Sequence, residues 1–308
     1  MADMHDAVRR PMIRTFHHED FAAEQLAERK ARDGHAISVC LPARDEAATI
    51  GAIVASVRAS LQDAIGLVDE ILVVDDHSTD RTAEVAEAAG ARVVAVDDVL
   101  PELGSGEGKG EALWKSVAAA TGDLIVWCDA DITDFGPRFV IGLVGPLLTR
   151  PEIDFVKGFY DRPVGTSAHG GGRVTELMAR PAISLLFPHL SSIVQPLAGE
   201  YAGRRCLLEQ LPFVQGYGVD LGLLVDIADG SGTEVIAQVD LGTRRHRNRT
   251  LDELGPQALA VLQTALRRAV PGQGEGATLV RPDLDPMDVE VGERPPLVAV
   301  PGYRRRTA

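Results

Sequence analysis

The sequence lacks an excess of positive charge and any long apolar run. Its 308 residues include 31 lysines and arginines against 45 aspartates and glutamates, a formal net charge of -14. Such a chain has no overall positive field to hold nucleic acid or an anionic membrane, so an anionic substrate needs a local cationic pocket. No run approaches the ~20 apolar residues that cross a bilayer, and the first residues lack the apolar core of a signal peptide. We therefore expect a cytosolic protein whose partners include neither nucleic acid nor membrane.

The sequence also has few cysteines. Cys40, Cys128 and Cys206 are an odd number without C-x-x-C spacing, and the first two fall inside apolar runs typical of strands. We predict that all three are buried free thiols, with no disulfide and no catalytic role.

The apolar pattern predicts an α/β fold. Hydrophobic residues make up 45% of the chain and charged residues 25%, which excludes a disordered or fibrous protein. From residue 36 onward, short β-branched runs alternate with helical stretches, as in βαβ units around a mostly parallel central sheet flanked by helices. Strands are predicted at 37–41, 70–75, 92–96, 123–128, 153–158 and 234–241. Helices are predicted at 48–61, 80–89, 109–120, 139–148, 174–186, 219–228 and 251–269, with Gly90 and Gly122 as C-terminal stops.

The two ends of the chain differ from this pattern. Residues 1–35 are polar, and 19–31 form a predicted amphipathic helix that packs on the outside or on a partner subunit. From residue 271, proline, glycine and charged residues dominate, which predicts a loosely ordered tail over 271–308. The main domain is therefore expected at 36–270, with a less regular second half.

The strongest motif is LIVWCDAD, in which an apolar strand runs into Asp129-Ala130-Asp131. Side chains two apart in a strand point the same way, so both carboxylates can meet one hard cation such as Mg²⁺ or Mn²⁺. Such a cation neutralises the charge that develops on a departing diphosphate. A second D-x-D pair at 283–285 shows that an acidic chain makes such pairs by chance, but it follows no predicted strand. Because ligands gather at the carboxyl ends of parallel strands, the first pair is the predicted metal site.

Two neighbouring strand ends carry further polar groups. VCLPARDEAATI places Arg44, Asp45 and Glu46 at a strand-to-helix turn, where a nucleotide would lie. Capping of the helix by Asp45 is the alternative. ILVVDDHSTDRT ends in Asp75-Asp76, whose carboxylates can accept hydrogen bonds from a base or ribose. Together the two segments indicate a nucleoside pocket.

The segment GSGEGKGEALW resembles a phosphate loop but lacks the GxxxxGK[ST] pattern, because Gly110 follows Lys109. Lys109 at a glycine-flanked helix start can still reach a diphosphate or its nucleoside. A flexible surface lysine is the alternative.

Two segments in the second half suit anions. HGGGRVTELMARP sets three glycines and Arg173 before a helix, with Thr175 in its first turn. Free backbone N–H groups, the helix dipole and a guanidinium favour phosphate or carboxylate there, and a plain glycine turn with a surface arginine is the alternative. The basic run RRHRNR at 244–249 indicates an anion pocket on so acidic a chain. Its His246 can ligate a metal through a neutral ring nitrogen, although a lone histidine is more often structural.

Taken together, the segments PARDE, VDDHSTD, GKGEALW, DAD, GGGRVTEL, GEYAGRR, GYGVDLGLL and HRNRTLDELG resemble the actinobacterial glucosyl-3-phosphoglycerate synthases and the related mannosyl-3-phosphoglycerate synthases. These are retaining glycosyltransferases of the GT-A fold. The resemblance covers about residues 37–254. It implies a Rossmann-like sheet with a nucleotide-binding half at about 36–131, an acceptor-binding half at about 132–270, and a homodimer.

The resemblance also implies a role for each matching position. The nucleotide sugar is bound by Pro42, Arg44, Glu46, Asp76, Lys109, Asp129 and Ala130. The divalent cation is held by Asp131 and His246, with Asp129 beside them. The 3-phosphoglycerate is bound by Gly172, Arg173, Thr175 and Asn248. Asp220, in GYGVD, is implied to bind donor-sugar hydroxyls, and the catalytic candidates are Asp131, Asp220 and Arg173.

We therefore predict a hexosyltransferase that moves glucose from UDP-glucose to the 2-hydroxyl of 3-phospho-D-glycerate with retention, assisted by Mg²⁺ or Mn²⁺. Mannosyl transfer from GDP-mannose on the same scaffold is the alternative, since the family pattern varies at Arg44 and Asp76. A nucleotidylyltransferase would need a glycine-rich, arginine-containing loop after the first strand, which PARDEAATI does not provide. A non-catalytic nucleotide-sugar-binding protein is a further alternative. No carboxylate stands out as a covalent nucleophile, so we expect a front-face displacement.

Overall fold

The computed structural model describes residues 12–106, 108–161, 172–245, 250–270, 272–274, 276–282, 284–289 and 291–303. Its strands are β1 (Arg14–His17), β2 (Ile37–Ala43), β3 (Glu70–Asp75), β4 (Arg92–Ala95), β5 (Leu124–Trp127), β6 (Phe155–Asp161), β7 (Tyr201–Arg204), β8 (Phe213–Val214), β9 (Ile236–Thr243), β10 (Ala277–Arg281), β11 (Leu284–Val289) and β12 (Glu293–Arg294). Its helices are α1 (Ala23–Asp33), α2 (Ile50–Val57), α3 (Thr82–Ala89), α4 (Lys109–Ala119), α5 (Arg138–Thr149), α6 (Arg180–Leu186), α7 (Arg205–Leu208), α8 (Val219–Ser231) and α9 (Leu251–Ala269). Two π-helical segments, Arg58–Asp63 and Thr175–Ala179, adjoin α2 and α6. Within this part of the chain, no helix has the length and apolarity that a membrane span requires.

Eight strands form one sheet in the order β1-β9-β6-β7-β5-β2-β3-β4. Neighbouring strands are parallel except where β7 meets β5 and β6. Because parallel strands need crossovers that cover both faces, alternate residues of β2 enter two separate cores, Val39 and Leu41 in one and Cys40 in the other. The first core packs against α1, α2, α3 and α5, and the second against α4, α6, α8 and α9. The predicted α/β fold with a mostly parallel sheet is confirmed.

The two predicted glycine stops have different outcomes. Gly90 ends α3 with a φ of 104°. Gly122 does not end α4, which stops at Ala119 with Ala120 as its cap. A Cβ at Gly122 would lie 2.6 Å from the backbone nitrogen of Ser38, so this glycine instead lets the loop before β5 pass close to β2.

Two strands of the sheet are missing from the sequence-based prediction. β7 reads YAGR, which is too short and glycine-containing to show a strand pattern. β1 pairs with β9 at the sheet edge and lies inside the polar segment 1–35. In the same segment, α1 begins at Ala23 and buries Leu26 in the core. This segment therefore contributes to the main fold and does not merely pack on its outside.

The expectation of a loosely ordered tail is wrong for the described residues beyond 270. β10 and β11 form an antiparallel hairpin, β12 pairs with β8, and Leu297 is fully buried. The indole nitrogen of Trp114, on α4, donates to the carbonyl of Pro295 at 2.8 Å. Asp285, from the second D-x-D pair, lies in β11 and so is part of a strand after all. The chain end thus packs back onto α4.

The cysteine prediction is partly wrong. Cys40 and Cys128 are buried free thiols as expected, but Cys206 on α7 is exposed. In the short helix α7, Leu207 and Leu208 are buried, whereas the side chain of Cys206 is exposed to solvent.

Candidate active site

Asp129 and Asp131 lie just beyond β5, at the edge where the parallel strands end. All four residues of β5 are buried, and the chain reaches solvent at this pair, whose side chains are 25% and 29% exposed. A Cβ at Gly199 would lie 2.2 Å from Asp129 Oδ1, so Asp129 packs directly on a glycine backbone. The pattern DAD therefore places two partly open carboxylates side by side, as predicted.

Arg244 joins these two carboxylates. It follows β9, and its Nη2 lies 2.9 Å from Asp129 Oδ2 and 2.8 Å from Asp131 Oδ1. Its Nη1 donates to the hydroxyl of Tyr160 at 2.7 Å. Burial opposes the charge of Arg244, but Glu200 and the other acidic neighbours outweigh it and raise its pKa. The run 244–249 was expected to form an anion pocket, whereas its first residue faces protein carboxylates.

Lys109 points at the same acidic group from the start of α4. Its Nζ lies 3.2 Å from Asp129 Oδ1 and 3.4 Å from Asp220 Oδ2. Its side chain is 16% exposed, so the alternative of a flexible surface lysine is wrong. Burial opposes its charge, but Asp129, Asp220 and Glu200 together raise its pKa. Lys109 is therefore a fixed cation at the floor of the site.

A second buried lysine lies beneath Asp220. Lys157, on β6, is 1% exposed and places Nζ 3.5 Å from Asp220 Oδ1. The same Nζ lies 4.1 Å from the ring centroid of Tyr201. Burial lowers the pKa of Lys157 to about 8, Asp220 opposes this shift, and Lys109 adds to it. The carboxylate of Asp220, in the first turn of α8, therefore has one ammonium group on each oxygen.

Glu200 is a fully buried acid just before β7. Its Oε1 lies 3.5 Å from Arg244 Nη2. Burial raises its pKa, and Arg244 opposes that shift. The sequence motifs predicted no role for Glu200 or Lys157, and predicted Arg244 only as part of an anion pocket at 244–249. The available signal was a charged residue inside or next to a buried strand, because such a residue needs a charged partner.

The residues predicted to line a nucleoside pocket lie together at the ends of β2 and β3; they are Pro42, Arg44, Glu46 and Asp76. Asp76 is 5% exposed and accepts a hydrogen bond from the backbone N–H of Gly108 at 2.9 Å. Arg44 Nη1 lies 3.9 Å from the same carboxylate oxygen. Asp76 therefore links the end of β3 to the loop that leads into Lys109.

Asp45 does not cap α2. Its Oδ1 accepts hydrogen bonds from the backbone N–H groups of Thr79 at 2.7 Å and Asp80 at 3.3 Å, which joins the turns after β2 and β3. The hydroxyl of Thr49, in turn, donates to the carbonyl of Ala130 at 2.6 Å. These bonds connect the predicted nucleoside pocket to the Asp129-Ala130-Asp131 segment.

The predicted acceptor residues are only partly described. Gly172 has a φ of 84°, Arg173 follows it, and Thr175 is 6% exposed at the start of the π-helical segment before α6. His246 and Asn248 lie outside the described residues, as do Gly170 and Gly171. Their roles stay predictions.

The carboxylates at the end of β5 fit a hard divalent cation. Mg²⁺ and Mn²⁺ take oxygen ligands, and such ions keep several positions for water and substrate phosphate when a protein offers one or two carboxylates. Asp129 and Asp131 offer two and are open to solvent on one side. Among the described residues, no group of three or more His, Cys, Asp or Glu side chains is arranged to hold a metal ion. Further ligands would have to come from His246 or the substrate.

Known proteins are similar to this one over nearly the whole chain. A model of glycosyl transferase family 2 matches residues 38–167. The glucosyl-3-phosphoglycerate synthase of Petrotoga mobilis is 44% identical over 95% of this chain and 96% of its own length. A crystal structure of the Mycobacterium tuberculosis glucosyl-3-phosphoglycerate synthase in complex with Mn²⁺, UDP-glucose and phosphoglyceric acid is 46% identical, covers 93% of this chain and 98% of that chain, and has a TM-score of 0.84. Another structure of that protein is in complex with Mg²⁺ and UDP.

The mannosyl-3-phosphoglycerate synthase of Rubrobacter xylanophilus is also similar, at 38% identity over 93% of this chain and 97% of that chain, with a TM-score of 0.85. The backbone of the mannosyl enzyme is thus as similar to this chain as that of the glucosyl enzyme, but its sequence is less similar. The chain therefore belongs to the glucosyl-3-phosphoglycerate synthase family and has its GT-A fold.

Proposed function

We propose that this protein transfers glucose from UDP-glucose to the 2-hydroxyl of 3-phospho-D-glycerate, with retention at the anomeric carbon and with Mg²⁺ or Mn²⁺. One observation carries the proposal: a relative 46% identical over 93% of the chain was crystallised with UDP-glucose, phosphoglyceric acid and Mn²⁺. The described site supports it, because an open acidic pair lies next to fixed lysines at the end of the sheet.

The acidic pair suits the diphosphate end of the donor. Asp129 and Asp131 would hold the cation together with His246, and the bound cation neutralises charge on the departing diphosphate. Arg244 holds the two carboxylates in fixed orientation through one Nη2. Of the two remaining oxygens, Asp129 Oδ1 lies 3.2 Å from Lys109 Nζ, so Asp131 Oδ2 is the oxygen of the pair that is proposed to meet the cation first.

The lysine-held Asp220 suits the donor sugar. A carboxylate with an ammonium group on each side does not rotate freely. It is therefore a fixed acceptor for sugar hydroxyls, and it orients the anomeric carbon relative to the acceptor. Around the nucleotide, the proposed contacts are Pro42, Arg44, Glu46, Asp76 and Lys109.

The proposed acceptor site lies before α6. Gly172, Arg173 and Thr175 offer backbone N–H groups and a guanidinium to the phosphate and carboxylate of 3-phosphoglycerate, with Asn248 as a further contact. Holding both anionic ends fixes the 2-hydroxyl in front of the anomeric carbon. A donor phosphate oxygen then takes the hydroxyl proton as the new glycosidic bond forms on the face that the diphosphate leaves.

Mannosyl transfer from GDP-mannose is the second candidate. The observation that favours it is the TM-score of 0.85 with a mannosyl-3-phosphoglycerate synthase. The higher identity to the glucosyl enzymes, 44% to 46% against 38%, ranks it second.

A panel of donors against acceptors tests the proposal. UDP-glucose and GDP-mannose are each incubated with 3-phosphoglycerate or glycerate, with Mg²⁺ or with EDTA, and released nucleoside diphosphate is measured. We expect release with UDP-glucose, 3-phosphoglycerate and Mg²⁺, and none in EDTA. Release with GDP-mannose but not with UDP-glucose would replace the proposal by its alternative. Formation of UTP and glucose 1-phosphate from UDP-glucose when pyrophosphate is added would indicate a nucleotidylyltransferase, and binding without release a non-catalytic protein.

We also propose a homodimer in the cytosol. The family resemblance supports the dimer, and the multiply charged substrates, which do not cross bilayers unaided, support the location. Light scattering on the purified protein measures the first, and cell fractionation the second. A monomer at micromolar concentration, or recovery in the membrane fraction, would contradict these proposals.

A further inference from the structure

The described residues near the C-terminus hold the loop in front of Lys109. Arg294, on β12, is 12% exposed and makes a two-pronged pair with the fully buried Glu111 of α4, from Nε to Oε2 at 2.7 Å and from Nη2 to Oε1 at 2.8 Å. The same guanidinium donates to the carbonyl of Leu103 at 2.7 Å and of Gly104 at 3.1 Å. One side chain therefore joins α4 to the loop that precedes it.

The segment that carries Arg294 is itself fixed. Trp114 donates to the carbonyl of Pro295, and the guanidinium lies 5.5 Å from the Trp114 ring centroid. On the other side, Gln215 donates to Glu111 Oε2 at 2.9 Å through its side chain and to the carbonyl of Gly292 at 2.9 Å through its backbone. Removing Arg294 would leave Glu111 with only a neutral hydrogen-bond donor and Lys115 at 3.8 Å, a strongly unfavourable state for a buried acid.

The loop has little room to adjust at its other end. Asp76 binds the backbone N–H of Gly108. A Cβ at Gly110 would lie 1.9 Å from the carbonyl oxygen of Val214, so the backbones of α4 and β8 are in direct contact. Lys109 lies between these two fixed points, and from this backbone position its ammonium group reaches both Asp129 and Asp220.

We propose that Arg294 is a positioning residue for donor binding, which holds the backbone at Leu103 and Gly104, before α4, so that Lys109 meets the nucleotide sugar. The inference rests on the proposed function, because it requires Lys109 to contact the donor. Arg294 lies outside the motifs that predicted the site, and its described contacts are with Glu111 and the loop before α4. Its loss is expected to weaken donor binding and to leave the acceptor site before α6 unchanged.

Four variants test this: Arg294→Gln, Arg294→Lys, Lys109→Met and the double variant Arg294→Gln/Lys109→Met. Calorimetry in Mg²⁺ measures the Kd for UDP-glucose, kinetics the KM for 3-phosphoglycerate, and thermal unfolding the Tm. We expect Arg294→Gln to raise the donor Kd about tenfold, which is the loss of one to two hydrogen bonds, with the acceptor KM within about twofold. Arg294→Lys keeps a charge beside Glu111 but cannot serve both loop carbonyls, so it folds and raises the donor Kd about threefold.

The double variant separates positioning from general destabilisation. If Arg294 acts through Lys109, the donor Kd of the double variant equals that of Lys109→Met alone. The matched control is Arg205→Lys. Arg205 is on α7, and its buried guanidinium donates to the carbonyls of Gly122 at 2.7 Å and Ala120 at 2.8 Å, just beyond the far end of α4. This variant should lower the Tm without changing the donor Kd.

Four results would overturn the inference. The inference about Arg294 fails, and the role of Lys109 stands, if the donor Kd is unchanged in both Arg294 variants but raised in Lys109→Met. Additive effects on the donor Kd in the double variant would have the same meaning. An unchanged donor Kd in Lys109→Met overturns the inference together with the proposed role of Lys109. Failure of the wild-type protein to bind UDP-glucose overturns the proposed function as well.

Discussion

Replacement of Lys157 by methionine tests whether the buried charges under the site are kept for function at a cost in stability. Methionine is about as long as lysine, fills a similar space and carries no charge. Burial lowers the pKa of Lys157 from its ordinary value of 10.5 to about 8. A pKa difference of about 2.5 corresponds to about 3 kcal/mol of folding free energy at neutral pH.

The sign of this effect follows from proton binding. Because the folded-state pKa of Lys157 lies below the unfolded-state value, the unfolded chain binds more protons between pH 8 and 10.5. The wild-type free energy of unfolding therefore gains from this group as pH rises through that window, and the full cost is present below pH 8. The Lys157→Met variant should be more stable than wild type at pH 7 by up to about 3 kcal/mol, a net figure that already includes the attraction between Lys157 and Asp220. The difference should disappear by about pH 10.5.

Activity should change in the opposite direction. Without Lys157, Asp220 loses the ammonium group beside Oδ1 and keeps Lys109 beside Oδ2, so its carboxylate is held less firmly in one orientation toward the sugar. We expect kcat/KM for UDP-glucose to fall at least about tenfold. Urea unfolding at pH 7, 8, 9 and 10, together with steady-state kinetics, measures both effects.

The control variant is Lys30→Met on α1. Lys30 is 7% exposed and pairs with Asp69, and its ammonium group donates to the carbonyl of Gly66 at 3.0 Å. This variant should lose stability and keep its activity. A Lys157→Met protein that is several kcal/mol less stable than wild type at pH 7, with unchanged kcat/KM, would refute the reasoning.

Three further predictions concern the metal pair, the acceptor and the thiols. Asp131→Asn should lower kcat at least about hundredfold, measured across a Mg²⁺ titration; near-normal turnover in EDTA would contradict the metal assignment. Arg173→Ala should raise the KM for 3-phosphoglycerate about tenfold or more with little change in the Kd for UDP-glucose, and equal effects on both substrates would count against it. In the native protein a thiol reagent should titrate Cys206 alone, because burial raises the pKa of Cys40 to about 12 and that of Cys128 well above its usual range. Fast reaction of three thiols without denaturant would show that the two buried positions are open.

Sequence periodicity predicted those parts of the fold that depend on local apolar patterns. β3 and α9 lie at the predicted residues, since one is a continuous apolar run and the other begins with the capping box of Thr250 and Glu253. The antiparallel β7 and the strands beyond residue 270 were not predictable in this way. Their residues are held by partners distant in sequence, such as Glu111 for Arg294, and proline and glycine hide the pattern.

The site was predictable to a similar extent. Asp129 and Asp131 follow a buried strand, so their position could be derived from alternation and strand direction alone. Lys109 was a candidate from its glycine-flanked helix start and Asp220 from the family resemblance alone, and the structure places their charged groups 3.4 Å apart. Lys157 was missed because a lysine in a strand is normally expected on the solvent face, and only the three-dimensional position of Asp220 explains its burial.

Product analysis by NMR tests the central claim most directly. UDP-glucose, 3-phosphoglycerate and Mg²⁺ are incubated with the wild-type protein and with Asp131→Asn, and the product is isolated. The account predicts glucose in α-linkage to the 2-oxygen of 3-phosphoglycerate, formed in equal amount to UDP by the wild type and not by the variant. Free glucose, a β-linkage, or a product obtained only with GDP-mannose would contradict it.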